Sequence, residues 1–296
     1  MKVELKAFWD SLYTSPFYKK FLAYFEAVFS HEEIEGKYDL VEIWSVFGTV
    51  PPPNLNSRVL RVQFSGEPGH QPTHHYDMNL IDALPSIEKG NIVIPHTLAG
   101  MHFYVHDLFE KLNKPRVWNS EDHRKRRFCT FIVSNGGPVV RKQFFVKLSE
   151  FKHVDSYGRV ANNCNNIQIP ECDSDEYYDF LHNFRFMMCF ENSYIDYYLT
   201  EKLVNAYIGG CIPIYWGCPQ LDSLVNTDAM LVLDKDASEE SMQKLYDRVA
   251  YLENNEEEYK KMYEQPLFKN GVFQEQFTIE HVQKNVLDAI ETLSIS

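Results

Sequence analysis

The stretch Phe184 to Gly217, FRFMMCFENSYIDYYLTEKLVNAYIGGCIPIYWG, leaves this chain little freedom in what it can fold into. Phe184 to Phe190 is an apolar run broken only by Arg185, the length and character of a strand buried on both faces. Glu191-Asn192-Ser193 breaks it with polar residues. A helix opens near Thr200, a good N-cap residue, with Glu201 and Lys202 in its first turn. Leu203, Val204, Tyr207 and Ile208 recur at helical spacing, Gly209-Gly210 stops the helix, and Cys211 to Trp216 is apolar again. Strand, loop, helix and strand in this order build a parallel α/β sheet. Such sheets bind ligands outside the carboxyl ends of their strands. That position collects Asn192, Tyr198, Glu201 and Lys202. A helix N-terminus with a lysine beside it is a natural seat for a phosphate.

The rest of the chain follows the same grammar. Val3, Leu5 and Ala7 alternate with polar residues as a first strand. Pro16 opens a helical stretch to Phe29 with Phe17, Phe21, Tyr24, Phe25 and Val28 on one face. Tyr38–Trp44 and Val59–Phe64 read as strands, separated by the loop Pro51-Pro52-Pro53-Asn54. A Gly-, Pro- and His-rich loop, 66–76, follows, then short apolar segments at 78–84 and 92–94 and a helical stretch from His102 to Leu112. Residues 113–127 are polar and end in Arg124-Lys125-Arg126-Arg127, which reads as a solvated linker. Phe128–Val133 opens the second half as a strand. Ser134-Asn135-Gly136-Gly137 is a tight loop, and a helix from Pro138 carries Arg141. Residues 154–166 read as loop. A short helix is expected in 173–184, a strand at 229–233, and helices at 238–254, 256–264 and 277–293. The fold class is α/β of GT-B type, two Rossmann-like domains facing across a cleft. The expected domains are 1–125, 126–275, and a C-terminal helix, 276–296, packing back toward the first.

Composition excludes some classes of function. At 296 residues the chain holds one large domain or two smaller ones, and 44% hydrophobic content is ample for a core. A net charge of −13 argues against wholesale binding to nucleic acid, which needs a basic surface. An acidic protein that binds a nucleotide must gather its cations locally. The six cysteines form no C-x-x-C pair and read as free thiols in a reducing compartment. No run of about eighteen apolar residues is present, and no basic region precedes an apolar stretch at the N-terminus. The expected location is cytoplasmic, compatible with peripheral contact at an inner membrane.

The motif also carries a resemblance. F-E-N at 190–192, Y-x-T-E-K at 198–202, Ala206-Tyr207 and I-P-I-Y-W-G at 212–217 resemble the signature of the α1,3/4-fucosyltransferases that use GDP-fucose, the bacterial members most of all. Val133-Ser134-Asn135 with Arg141 resembles that family's first donor-domain strand and helix. Phe64-Ser65-Gly66-Glu67 resembles its F/Y-x-G-E acceptor loop. The resemblance implies GDP-fucose as donor and a glycan acceptor such as N-acetyllactosamine. It implies inverting transfer to a hydroxyl of N-acetylglucosamine, with an α1,3 linkage favoured, and no cofactor beyond the donor. Animal members are Golgi proteins with a membrane anchor, which this sequence lacks; either it is trimmed or the native protein is soluble.

Transfer from GDP-fucose needs a base for the acceptor hydroxyl and cations for the departing diphosphate. Lys202 and Arg141 are the leaving-group candidates, since arginine grips two phosphate oxygens and lysine supplies a point charge. Asn192, Tyr198 and Glu201 match the family motif and are candidates for ribose, fucose or guanine contacts. Glu191 either joins the site or orients the loop. Glu67 is the candidate base, with Asp77 second; the family usually continues with Asn where Pro68 stands here. His70, His74 and His75 fit no strong zinc spacing. The triplets Asp173-Ser174-Asp175 and Asp234-Lys235-Asp236 do not lead into the motif, so no metal is assigned. Two rivals remain: an enzyme of the same fold using another nucleotide sugar, and a catalytically dead glycan-binding protein.

Overall fold

The computed structural model describes residues 1–15, 17–105 and 107–294. They form two compact units. The first comprises residues 1–104, 195–198 and the chain from Gln274 on, and the second comprises 105–194 and 199–273.

The first unit is built on six strands: β1 (Lys2–Lys6), β2 (Leu40–Ser45), β3 (Val59–Phe64), β4 (Met78–Leu80), β5 (Ser86–Glu88) and β6 (Asn91–Ile94), in the order β1-β2-β3-β4-β6-β5. All neighbours are parallel except the β5–β6 hairpin. The carboxyl ends of β1, β2, β3, β4 and β6 therefore share one edge. β2 alternates half-buried and buried residues, sending Val41, Ile43 and Ser45 inward. The helix Phe17–Phe29 covers this face with Phe21, Phe25 and Val28. Phe25 meets Phe21 at 5.0 Å and Phe64 at 5.1 Å, both edge-on, the arrangement that ring quadrupoles favour. Pro16, expected to open this helix, lies outside the described residues. The C-terminal helix Ile279–Ser294 adds Val282, Val286 and Ala289 to the same core. Its Gln283 amide donates to the carbonyls of Ala27 (3.1 Å) and Ser30 (2.9 Å), satisfying acceptors at and just past the helix end.

The second unit holds β7 (Arg127–Phe131), β8 (Val154–Ser156), β9 (Phe184–Phe190), β10 (Ile212–Trp216) and β11 (Leu231–Val232). Their order is β11-β10-β9-β7-β8, and every pair is parallel. β10 is buried throughout, and β9 everywhere but Arg185, as continuous apolar strands under two helical layers must be. The chain winds outward from β7 to β8, then returns to β9 and continues the other way. The strand order thus reverses between β7 and β9, and open α/β sheets bind ligands at the carboxyl side of such a reversal. Among the described residues, no helix is long and apolar enough to cross a membrane.

Three expectations need correction. The stretch His102–Leu112 is not one helix but the ends of two, Thr97–Tyr104 and Leu108–Asn113. Asp107 between them adopts a left-handed conformation (φ 53°), which an α-helix cannot carry through. Residues 154–166 are not all loop, since Val154–Ser156 is strand β8. Asn163 makes this possible: its amide donates to the Val154 carbonyl and its oxygen accepts from the Ser156 amide, both at 2.8 Å, closing the open strand edge with a side chain. The basic run is solvated at Arg124, Lys125 and Arg127, as expected, but it is not a linker. Ser120–Lys125 is a short helix, and Arg126 is buried, donating to the carbonyls of His182, Phe184 and Gly210. Arg127 opens β7 and pairs with Asp155 at 3.0 Å.

Candidate functional site

Site residues in the second unit gather at the carboxyl end of β9. Glu191 continues the β9 ladder, its amide donating to the Trp216 carbonyl at 2.8 Å, and its side chain is fully buried. Gly217 makes room for it: a Cβ there would lie 2.4 Å from Glu191 Cγ, so the last residue of the I-P-I-Y-W-G run has to be glycine. Glu191 Oε1 accepts from the Thr200 amide at 2.8 Å and from its hydroxyl at 3.0 Å. Thr200 occupies the N-cap position of the helix Glu201–Ile208, yet its side chain makes no capping bond. The buried carboxylate takes it instead.

Lys202 Nζ sits within this group. It lies 3.3 Å from Glu191 Oε2, 3.2 Å from Glu201 Oε1 and 2.9 Å from Thr200 Oγ1, and its side chain is 18% exposed. Burial pushes the Glu191 carboxyl up, against the pull of the Lys202 charge. Glu201 goes the other way. Burial raises it, but the Lys202 charge and hydrogen bond, with bonds from the Glu201 amide and Thr200, hold it below the usual carboxylate range.

Arg141, on the helix Val139–Phe151, spans the reversal between β7 and β9. Its Nε (3.0 Å) and Nη2 (2.6 Å) donate to the Phe190 carbonyl, and Nη1 donates at 2.8 Å to the Asn135 carbonyl in the loop after β7. It is buried. The guanidinium therefore ties two strand ends together, beside the residue that anchors Lys202. Asn192 follows Glu191 and is half-buried. Tyr198 is buried in the turn 195–198, which belongs to the first unit. Trp216 was not singled out from sequence. Its indole N–H is buried and has no partner among the described residues, while its ring lies 5.6 Å from that of Tyr194. A buried unpaired donor at this edge suits a polar ligand.

In the first unit, Glu67 stands exposed in the turn after β3. Ser65 folds that turn, its Oγ accepting from the Glu67 amide (3.0 Å) and donating to the Glu67 carbonyl (2.9 Å). His96, just past β6, donates from Nε2 to the Ser65 carbonyl at 2.9 Å. It is buried, and burial pushes its pKa down to about 4 against that hydrogen bond, so the ring is neutral with its proton on Nε2. Neither Ser65 nor His96 carried a sequence signal beyond their neighbours. Asp77, the second base candidate, is not on this edge. It precedes β4, and its carboxylate accepts from the Arg61 amide at 2.8 Å and from Asn54 at 3.0 Å. Its role is to fix the start of the β3–β4 pair.

Of the histidine loop, His74 and His75 lie ring to ring at 4.3 Å, and His70 packs on Phe47. Among the described residues no group of three or more His, Cys, Asp or Glu side chains is placed to hold a metal ion. Both D-x-D triplets have structural partners: Asp173 accepts from Asn205, Asp175 pairs with Lys111, and Asp236 accepts from Ser238 and Ser241.

The model of the family "Glycosyltransferase family 10 (fucosyltransferase) C-term" matches residues 122–285, more than half of the chain. The chain belongs to glycosyltransferase family 10, the fucosyltransferases. It is 32% identical over 154 residues to the alpha-(1,3)-fucosyltransferase FucT of Helicobacter pylori, an alignment covering 51% of this chain and 30% of that protein. It is 31% identical over 101 residues to the GDP-fucose protein O-fucosyltransferase 3 of Homo sapiens, covering 32% of this chain and 21% of that one. The chain thus spans less than a third of either relative's length. A crystal structure of an α1,3-fucosyltransferase with GDP-fucose superposes with a TM-score of 0.69 at 19% identity, covering 98% of this chain and 89% of that one. The shared fold is GT-B, two Rossmann-like domains. The matched segment of this fucosyltransferase-family chain contains the whole Glu191–Lys202 cluster and Arg141.

Proposed function

We propose that this protein transfers L-fucose from GDP-fucose to a sugar hydroxyl with inversion at the anomeric carbon. The observation that carries this reading is the cluster at the end of β9. There a buried carboxylate fixes Lys202 at a helix start, and Arg141 is anchored one residue away. Preformed positive charge at a helix N-terminus suits a diphosphate whose charge grows as the glycosidic bond breaks. Lys202 takes up that charge, and Arg141 holds the strand ends at the phosphate site and adds its own field. Glu201 and Asn192 bond donor hydroxyls, as does Tyr198, and the Trp216 indole N–H supplies a further donor. Glu67 removes the proton of the acceptor hydroxyl. The favoured acceptor is an N-acetyllactosamine-type glycan and the favoured linkage α1,3. The human relative is by name a GDP-fucose protein O-fucosyltransferase, which makes a protein hydroxyl the alternative outcome of an acceptor screen. Neither a cofactor nor a metal has a role in this scheme, and a cytoplasmic location belongs to it.

Two experiments bear on this directly. GDP at 100 times its dissociation constant is expected to add about 2.7 kcal/mol to folding stability, and UDP or ADP much less. Thermal shifts with the three nucleotides check it, and equal shifts with UDP would count against the donor assignment. His96→Phe removes the donor to the Ser65 carbonyl and is expected to cost about 1–3 kcal/mol of stability and to lower turnover through Glu67. Gln places an amide donor where Nε2 stood, so His96→Gln should recover most of both. It should also relieve acid sensitivity. A histidine held neutral contributes stability that is whole above pH 6.5 and is lost as pH falls toward 4. Melting curves and rates that are identical for the Phe and Gln variants would deny His96 this role.

A further inference from the structure

The carboxyl ends of β1, β2 and β3 carry three ring side chains at the surface. Trp9 follows β1 and is 46% exposed, and Phe47 follows β2 and is 60% exposed. Their ring centroids lie 6.3 Å apart at 72°, and the His70 ring, on the loop after β3, stands 6.0 Å from Phe47 at 83°. A single exposed aromatic needs no explanation. A contiguous group on the ligand-binding edge of a parallel sheet does.

The backbone is shaped to keep the group there. Ala7 adopts a left-handed conformation (φ 58°), unusual for a residue with a Cβ. At this turn the chain divides its aromatics: Phe8 enters the core against Phe21 and Phe64, and Trp9 stays at the surface. The turn after β2 lies directly against Ala7, since a Cβ on Gly48 would fall 2.1 Å from the Ala7 Cβ. Only glycine lets Phe47 come beside Trp9. Backbone strain held at a functional edge is retained where the surrounding structure and the function require it.

We infer that Trp9, Phe47 and His70 form the platform on which the acceptor sugar stacks. The occupant is a neutral oligosaccharide. A pyranose ring presents C–H groups on its faces and hydroxyls at its rim, and aromatic faces carry the negative quadrupole that attracts polarised C–H. His70 adds a hydrogen-bonding group for the rim. It lies three residues after Glu67, at most about 10 Å along the chain, so a sugar on the platform can offer a hydroxyl to that carboxylate. The inference rests on the fucosyl-transfer reading and names the acceptor subsite within it.

The test uses the full chain, saturating GDP-fucose and a panel of free oligosaccharides ending in β-galactose or N-acetylglucosamine. Trp9→Ala and Phe47→Ala are each expected to raise the KM of the best acceptor at least tenfold, about 1.4 kcal/mol. GDP affinity, kcat and melting temperature should stay as in the wild type. Trp9→Phe and Phe47→Tyr keep a ring and should recover most of the loss. Trp9→Leu and Phe47→Leu keep apolar volume without a π face, so a KM rise in them supports the platform should an alanine variant fail to fold. An unchanged acceptor KM in folded alanine or leucine variants overturns the platform and leaves the transferase reading standing. A wild type that binds GDP but transfers to no panel member overturns that reading, and the platform with it.

Discussion

Glu67→Gln is expected to lower fucosyl transfer by about 10²–10⁴-fold while GDP affinity stays within error of the wild type. Glutamine keeps the size of the side chain and can hydrogen-bond an acceptor hydroxyl, but it cannot take the proton. The turn that carries it should survive the change, because its internal bonds run from Ser65 Oγ to the Glu67 main chain, and the His96 bond reaches the Ser65 carbonyl. None of these uses the Glu67 carboxylate. The rate effect is then one of chemistry. Asp77→Asn is the control. Asp77 supports the Arg61 amide and Asn54, so its loss should register as a lower melting temperature more than as a lower kcat. Normal turnover by folded Glu67→Gln would remove Glu67 from the mechanism without touching the donor site.

The sequence made the second sheet far more legible than the carboxylate and imidazole chemistry placed at the sheet edges. β9 and β10 could be read directly because strands buried on both faces are apolar without alternation, and paired glycines stop the helix between them. β8 could not, because its buried edge is completed by the side chain of Asn163, seven to nine residues away, in a stretch whose polarity reads as loop. Arg126 failed for a related reason. A run of four basic residues looks solvated until three carbonyls from β9, β10 and their approaches converge on one of them. At the candidate site the motif names Lys202 and Arg141 but carries no sign of their settings. Sequence suggests that Thr200 caps its helix, whereas the buried Glu191 outcompetes the helix for its hydroxyl. His96 lies 31 residues from the carbonyl it holds, and local pattern carries no trace of such a contact.

Lys202 tests whether that buried carboxylate serves the fold, the chemistry or both. Lys202→Met keeps the apolar stem and removes the charge. Turnover is expected to fall by roughly 10²-fold or more, as for other losses of one preorganised charge-stabilising group, and GDP should bind more weakly. Glu191 would also lose its counter-charge, and breaking a buried pair from one side costs about 3 kcal/mol. The sign with pH follows from the direction of the Glu191 shift. Its carboxyl is already raised in the fold, and without Lys202 it rises further. A raised carboxyl favours folding when protonated, so the variant should be least impaired at low pH and lose stability as pH rises through the folded value. Melting curves at pH 5 and pH 8 read this directly, with the larger deficit expected at pH 8. The double variant Lys202→Met, Glu191→Gln separates the two roles. A neutral amide at 191 needs no counter-charge and still accepts from the Thr200 amide, so stability should return and its pH dependence should flatten. Turnover should not return, because nothing replaces the ammonium proposed to meet the diphosphate. If it does return, Lys202 serves only to neutralise Glu191, and the leaving-group charge must be met by Arg141 and the helix N-terminus.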